Sequence, residues 1–143
     1  MSAPRDAISA LIFTYAERVD AGDLAGVAAL FHDATFGSAQ GGTYRGSAAV
    51  LEVLSRLVIL YADGTPRTKH VTTNLVIELD EVSAGATARS YFTVLQATDG
   101  LPLQPIIAGR YHDRFVGDAG AWRFDERVIT IDLVGDLSRH LRS

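Results

Sequence analysis

The second half of the chain is what most restricts its fold. Residues 68–80, 85–97, 103–116 and 121–134 are long runs rich in Val, Ile, Thr, Tyr and Phe. Such side chains fit a pleated, half-buried surface. Turn residues separate the runs: Ser83-Ala84-Gly85, Asp99-Gly100 and Asp118-Ala119-Gly120. Parallel strands need a crossover of about a dozen residues, and these links are too short for one. The runs are therefore predicted to form consecutive strands of an antiparallel meander.

The first half reads as helical. Ile8, Leu11, Ile12, Tyr15 and Val19 make one apolar stripe, Asp6 caps or charges its start, and Ala21-Gly22 ends it. Asp23 is the expected N-cap of a shorter helix holding Leu24, Val27, Leu30 and Phe31. Residues 34–45 are short extended structure, with a Gly41-Gly42 hairpin signal between Phe36 and Tyr44. Ser47 is the expected N-cap of a third helix, with Val50, Leu51, Leu54, Leu57, Val58 and Tyr61 on its apolar face. Asp63-Gly64-Thr65-Pro66 stops it, and residues 135–143 read as a polar tail or short helix. There is no repeat, low-complexity tract or linker, so residues 1–143 are expected to form one domain. Helices followed by long antiparallel strands make an α+β chain. Long twisted strands curl. The expected architecture is a cone-shaped α+β barrel, with three N-terminal helices packed on a strongly curved, mostly antiparallel sheet that encloses a pocket.

Composition narrows the function. Hydrophobic residues make up 48% of the chain, enough for a sizeable core or an apolar cavity. With 13 Lys and Arg against 17 Asp and Glu the net charge is −4, so no nucleic-acid partner is expected. The absence of cysteine excludes disulfides, thiolate metal sites and cysteine nucleophiles, and fits a reducing compartment. No apolar run approaches the roughly 18 residues of a membrane helix. Glu17, Arg18 and Asp20 interrupt what would be the core of a signal peptide, so a cytoplasmic protein with no membrane partner is expected. His32-Asp33 and His112-Asp113 lack metal-ligand spacing, and no phosphate-cradling glycine motif or GxSxG occurs. No metal and no cofactor are expected.

Candidate chemistry lies on the strands and at the end of the first helix. Alternation from Lys69 places Val71, Leu75, Ile77 and Leu79 on one face and His70, Thr72, Asn74 and Val76 on the other. A polar stretch giving way to an apolar one reads as the side of a partly wet pocket. Histidine titrates nearest neutrality, so His70 suits general-base work. The alternative is an exposed or hydrogen-bonded strand histidine. Asp20 opposes the dipole at the C-terminal end of its helix, at a cost of roughly 0.3–1 kcal/mol. That cost points to a cationic partner or a function, the alternative being a solvated terminal residue. On the third run Tyr111, beside Gly109, projects a phenol into a cavity or sits in the core with its hydroxyl at the edge. On the last run Trp122, Phe124, Glu126 and Val128 share one face, and Arg123, Asp125, Arg127, Ile129 and Ile131 the other. Arg127 there binds an anionic or carbonyl-bearing ligand or forms a cross-strand ion pair.

Several segments in this order resemble a known family. They are the helix ending Val19-Asp20, residues 30–36, Gly42-Thr43-Tyr44-Arg45-Gly46, His70 with Thr73-Asn74-Leu75, Gly109-Arg110-Tyr111 and Trp122-Arg123-Phe124. Together they are similar to the SnoaL-like branch of the nuclear transport factor 2-like superfamily. That branch includes scytalone dehydratase, bile-acid 7α-dehydratase and γ-hexachlorocyclohexane dehydrochlorinase. The resemblance covers nearly the whole chain and implies the fold more specifically than the reaction. It implies that His70 is the base and that Asp20 pairs with it. Tyr15 matches a lysyl or tyrosyl partner near the first helix, and Arg127 an arginine that assists the leaving group. Tyr44 and Tyr111 become donors to a substrate oxygen, and Phe36, Leu57 and Ile107 the apolar wall. The second histidine of scytalone dehydratase has no counterpart assigned here. Neither Asp113 nor Asp125 matches the acid/base aspartate of the polyketide cyclases. The implied function is a cofactor-independent lyase or isomerase of the dehydratase kind, acting on a small, mostly apolar cyclic or polyketide-like substrate. The alternative is a non-catalytic small-ligand-binding or oligomerisation module. Relatives associate through the sheet, and Tyr91, Phe92 and Val94 give this chain apolar material on both strand faces, so a homodimer or homotrimer is expected.

Overall fold

Among the described residues three helices and six strands follow one another as α1 (Pro4–Asp20), α2 (Leu24–Ala29), β1 (Thr35–Ser38), β2 (Thr43–Arg45), α3 (Ser47–Leu57), β3 (Thr68–Asp80), β4 (Gly85–Thr98), β5 (Leu101–Asp118) and β6 (Ala121–Val134). These come from a computed structural model that describes residues 3–118 and 120–143. Met1 and Ser2 of the expected non-signal start, and Ala119 of the last expected turn, lie outside the described residues.

The strands form one sheet in the order β2-β1-β6-β5-β4-β3. β3 to β6 pair antiparallel in sequence order, the expected meander. β1 and β2 form the Gly41-Gly42 hairpin, with Phe36 opposite Tyr44, and β1 joins β6 in parallel. The sheet is curved but does not close, and the helices cover one side. α1 lies against β3 and β6, and α2 packs on α3. The core runs between these layers through Ile8, Ile12, Val27, Phe31, Val50, Ile106 and Phe124, all nearly inaccessible.

Local boundaries follow the chemistry of the caps. The Asp23 carboxylate accepts from the Gly26 amide at 2.9 Å, the expected N-cap of α2. The cap of α3 is Gly46, at φ 86°, and Ser47 is the first helical residue, one position from expectation. α3 also stops at Leu57, earlier than its apolar stripe implies. Val58 turns extended and bridges to Leu141.

Two bulges change which side chains face the core. Pairing of β3 with β4 shifts between Thr73 and Val76, and Asn74 takes φ 54°. One extra residue reverses the alternation. His70 and Thr72 thus share a face with Leu75, Ile77 and Leu79, while Val71 and Val76 are exposed. The strict alternation expected for this strand is corrected accordingly. In β6 the register shifts opposite Arg114 and Phe115, which brings Phe124 onto the face of Arg127, Ile129 and Ile131. Phe124 was expected on the opposite face, and the bulge at Asp125 is the reason.

Candidate active site

A cavity of about 300 Å³ opens between the curved sheet and the helices. Its wall is mostly apolar. Val19 of α1, Leu54 and Leu57 of α3, Val94 of β4 and Ile129 and Ile131 of β6 contribute to it. Tyr15, Phe36, Tyr44, Leu57, His70, Ile107 and Tyr111, all expected at the site, line it as well.

His70, which lines this wall, meets Asp20, which is not among the lining side chains. His70 Nδ1 lies 2.6 Å from Asp20 Oδ1, and the His70 amide donates to Asp20 Oδ2 at 2.8 Å. The Thr68 hydroxyl donates to Asp20 Oδ1 at 2.8 Å. The carboxylate that opposes the α1 dipole is therefore held by three donors from the start of β3. Gly22, at φ 77°, turns the chain directly after α1, and a Cβ there would meet the Gly64 carbonyl at 1.9 Å. Only glycine allows that close approach. Burial pushes the Asp20 carboxyl up, but the hydrogen bonds and charge of His70, with the Thr68 hydroxyl, outweigh it and hold the carboxyl below its usual value. The side chains of His70 and Asp20 are 8% and 12% exposed, so the pair is largely shielded from solvent. With Nδ1 committed to the carboxylate, Nε2 is the ring nitrogen left for other work.

Arg127 is not among the lining side chains. It is fully buried and bonds Asp113 in a fork, Nε to Oδ1 at 2.8 Å and Nη2 to Oδ2 at 2.9 Å. This is the cross-strand pair weighed for it in the sequence. Its guanidinium lies 3.6 Å from the centre of the Tyr111 ring and 4.3 Å from that of Tyr15. It supports the aromatic floor from behind. Tyr111 also stacks on Phe92 at 4.6 Å. Gly109 makes room for this stack, since a Cβ there would sit 2.1 Å from the Thr130 carbonyl and 2.8 Å from the Phe92 ring. Burial raises the phenol of Tyr15 and raises that of Tyr111 well above the usual value, against the pull of Arg127. Both hydroxyls are protonated donors at neutral pH.

Besides the apolar wall residues Val19, Leu54, Val94, Ile129 and Ile131, the site residues missed in the sequence are His140 and Leu141. Residues 135–143, read as a polar tail or short helix, form an extended strap with a turn that covers one end of the cavity. Ile59 donates to the His140 carbonyl at 2.9 Å, and the Arg142 amide to the Leu57 carbonyl at 2.8 Å. Gln96 Nε2 donates to the Arg139 carbonyl at 2.9 Å, and the Tyr61 hydroxyl donates to the same atom. The His140 ring is 6.0 Å from that of His70, edge to face. Burial, and then His70, push the His140 imidazolium down to about 4 against the pull of Asp20, so the ring is neutral at pH 7. The available signal was no more than Leu137 and Leu141, two apolar residues inside a polar tail. Among the described residues no group of three or more His, Cys, Asp or Glu side chains converges to hold a metal. No helix of the described residues is long and apolar enough to cross a membrane.

The known proteins that this chain resembles share its fold. A SnoaL-like domain matches residues 2–128. A single-substitution variant of Rv3472 of Mycobacterium tuberculosis, a protein of unknown function, is 29% identical with TM-score 0.73, covering 92% of this chain and 78% of its own. A Novosphingobium aromaticivorans protein provisionally named a scytalone dehydratase is 25% identical with TM-score 0.71, covering 91% of this chain and 85% of its own. LinA, at 23% identity and TM-score 0.72, covers 94% of this chain and 89% of its own, and shares the fold. No curated protein matches the chain in sequence.

Proposed function

The chain belongs to the SnoaL-like domain family, and from that premise we propose that it is a cofactor-independent lyase or isomerase of the dehydratase kind. The single observation that carries this reading is the Asp20–His70 hydrogen bond at the wall of an apolar cavity. The substrate is a small, mostly apolar cyclic or polyketide-like molecule with a carbonyl, hydroxyl or halide. His70 Nε2 takes a proton from the carbon beside the activating group. The C–H electron pair forms the new double bond. In an elimination the hydroxide or halide leaves with its own bonding pair, and in an isomerisation the proton returns from His70 to another carbon. Asp20 holds the productive tautomer and stabilises the imidazolium that forms. Tyr15, Tyr44 and Tyr111, which line the cavity, are taken as the donors to developing negative charge. Arg127 contributes through the two rings it supports. The reading also takes the protein as a cytoplasmic homodimer or homotrimer, associated through the outer sheet face where Val71, Val76 and Tyr91 are exposed.

The test is exchange of α-protons of a bicyclic ketone, β-tetralone, in deuterated water, followed by NMR. The wild-type protein is expected to exchange them above the buffer rate. Replacing His70 with Ala is expected to lower that catalysed rate by about 10²–10⁴-fold, the usual worth of positioned acid–base help. A folded His70→Ala protein that exchanges at the wild-type rate removes His70 as the base. Binding of the ketone with no exchange by the wild type favours the non-catalytic ligand-binding module.

A further inference from the structure

We propose that the C-terminal strap supplies a second polar contact to the cavity, with His140 hydrogen-bonding the oxygen of a ligand whose body is an apolar ring system and whose one polar end is a carbonyl or hydroxyl. The inference rests on the cavity being a ligand site, as in the reading above, and it adds the residue that meets the ligand's oxygen.

The strap is fastened through its backbone. The bonds that hold it use the carbonyls of Arg139 and His140, the Arg142 amide and the Arg142 guanidinium on the Val58 carbonyl. None of them uses the His140 side chain. That side chain is nonetheless buried, since only 5% of the residue is exposed, and it lines the cavity. Its Nδ1 is buried with no hydrogen-bond partner among the described residues. A buried polar nitrogen without a partner is costly, and a phenyl ring of similar shape would seal the strap without that cost. The ring lines the cavity, so its polar partner is sought in what the cavity holds. His140 stands edge to face with His70, so a ligand oxygen beside His140 lies close to the reacting carbon beside His70. A neutral imidazole both donates and accepts, which suits a carbonyl or a hydroxyl. The remaining wall is apolar and suits hydrocarbon rings. A cavity of about 300 Å³ falls at the small end of ligand sites, which limits the body to a few fused rings.

The test compares β-tetralone with tetralin, the same bicycle without oxygen, by NMR titration of the full-length protein. The wild type is expected to bind the ketone about 5-fold more tightly than the hydrocarbon, the worth of one neutral hydrogen bond. In His140→Phe that preference is expected to vanish while tetralin binds as before. Equal weakening of both compounds means that His140 only shapes the strap, and an unchanged preference means that it does not touch the oxygen. Either result overturns the proposal, as does a wild type that prefers neither compound. A second readout needs no variant. The His140 imidazole nitrogen resonances of the wild type are expected to move with β-tetralone and to stay with tetralin, and static resonances overturn the proposal. Neither readout needs turnover. Oxygen-selective binding without α-proton exchange would sink proton abstraction by His70 and leave this inference standing.

Discussion

At the scale of single residues, two carboxylates have opposite jobs. Asp20 accepts from His70 Nδ1, and an asparagine there would offer an N–H to that nitrogen instead. The ring would then carry its proton on Nε2 and lose its basic lone pair. Asp20→Asn is therefore expected to lower kcat for ketone exchange by about 10²-fold or more with little change in KM. A variant with wild-type kcat shows that the carboxylate does not set the tautomer. Asp113 has no such access to a ligand. It neutralises Arg127, which is fully inaccessible beneath Tyr15 and Tyr111. Removing one partner of a buried pair leaves the other charge uncompensated. Asp113→Ala is expected to destabilise the fold by about 3–5 kcal/mol, read from urea unfolding. A loss below about 1 kcal/mol would show that water or another group compensates Arg127.

At the scale of elements, the sequence exposed periodicity well and its interruptions poorly. The three helices, the β1–β2 hairpin and the four-strand meander follow from apolar spacing and turn residues. The Asp20–His70 pairing followed from resemblance, because nothing in the local pattern joins residues so far apart in sequence. The faces of β3 and β6 were misread past their bulges. A bulge adds one residue and leaves composition unchanged, and Asn74 looks like any polar strand position until its φ of 54° is seen. Asparagine tolerates that left-handed backbone, and a β-branched residue does not. Asn74→Gly is expected to keep stability within about 0.5 kcal/mol, and Asn74→Val to lose about 1–3 kcal/mol. If Val is as stable as Gly in thermal unfolding, the bulge is not fixed at this position. The strap was missed for a different reason. Its order comes from distant partners, Ile59, Gln96 and Leu57, and a segment of that length carries too few apolar residues to announce itself.

At the scale of the whole molecule, the fold puts apolar surface on both sides of one sheet. The inner side forms the cavity and core, while Tyr91 stands 52% exposed on the outer side. If association uses that side, Tyr91→Lys is expected to shift the sedimentation coefficient to that of a monomer. An unchanged coefficient places the interface elsewhere. Global stability against acid depends on the end of the cavity under the strap. The folded state holds His140 at about 4, below its ordinary value of 6.5. Between those values the unfolded chain binds a proton that the native chain does not, so stability falls as pH falls through this window. The loss amounts to roughly 3 kcal/mol if fully expressed. Asp20 works in the same direction at lower pH. Its folded pKa is depressed, so its contribution is present above the unfolded value of 3.8 and disappears as pH falls through the folded one. The two phases separate in the variants. His140→Phe is expected to keep its pH 7 stability down to about pH 4.5 in urea midpoints, while the wild type declines from about pH 6.5. If both proteins decline together from about pH 6.5, the titrating group is another one, and the His140 ring is open enough to water to be protonated in place.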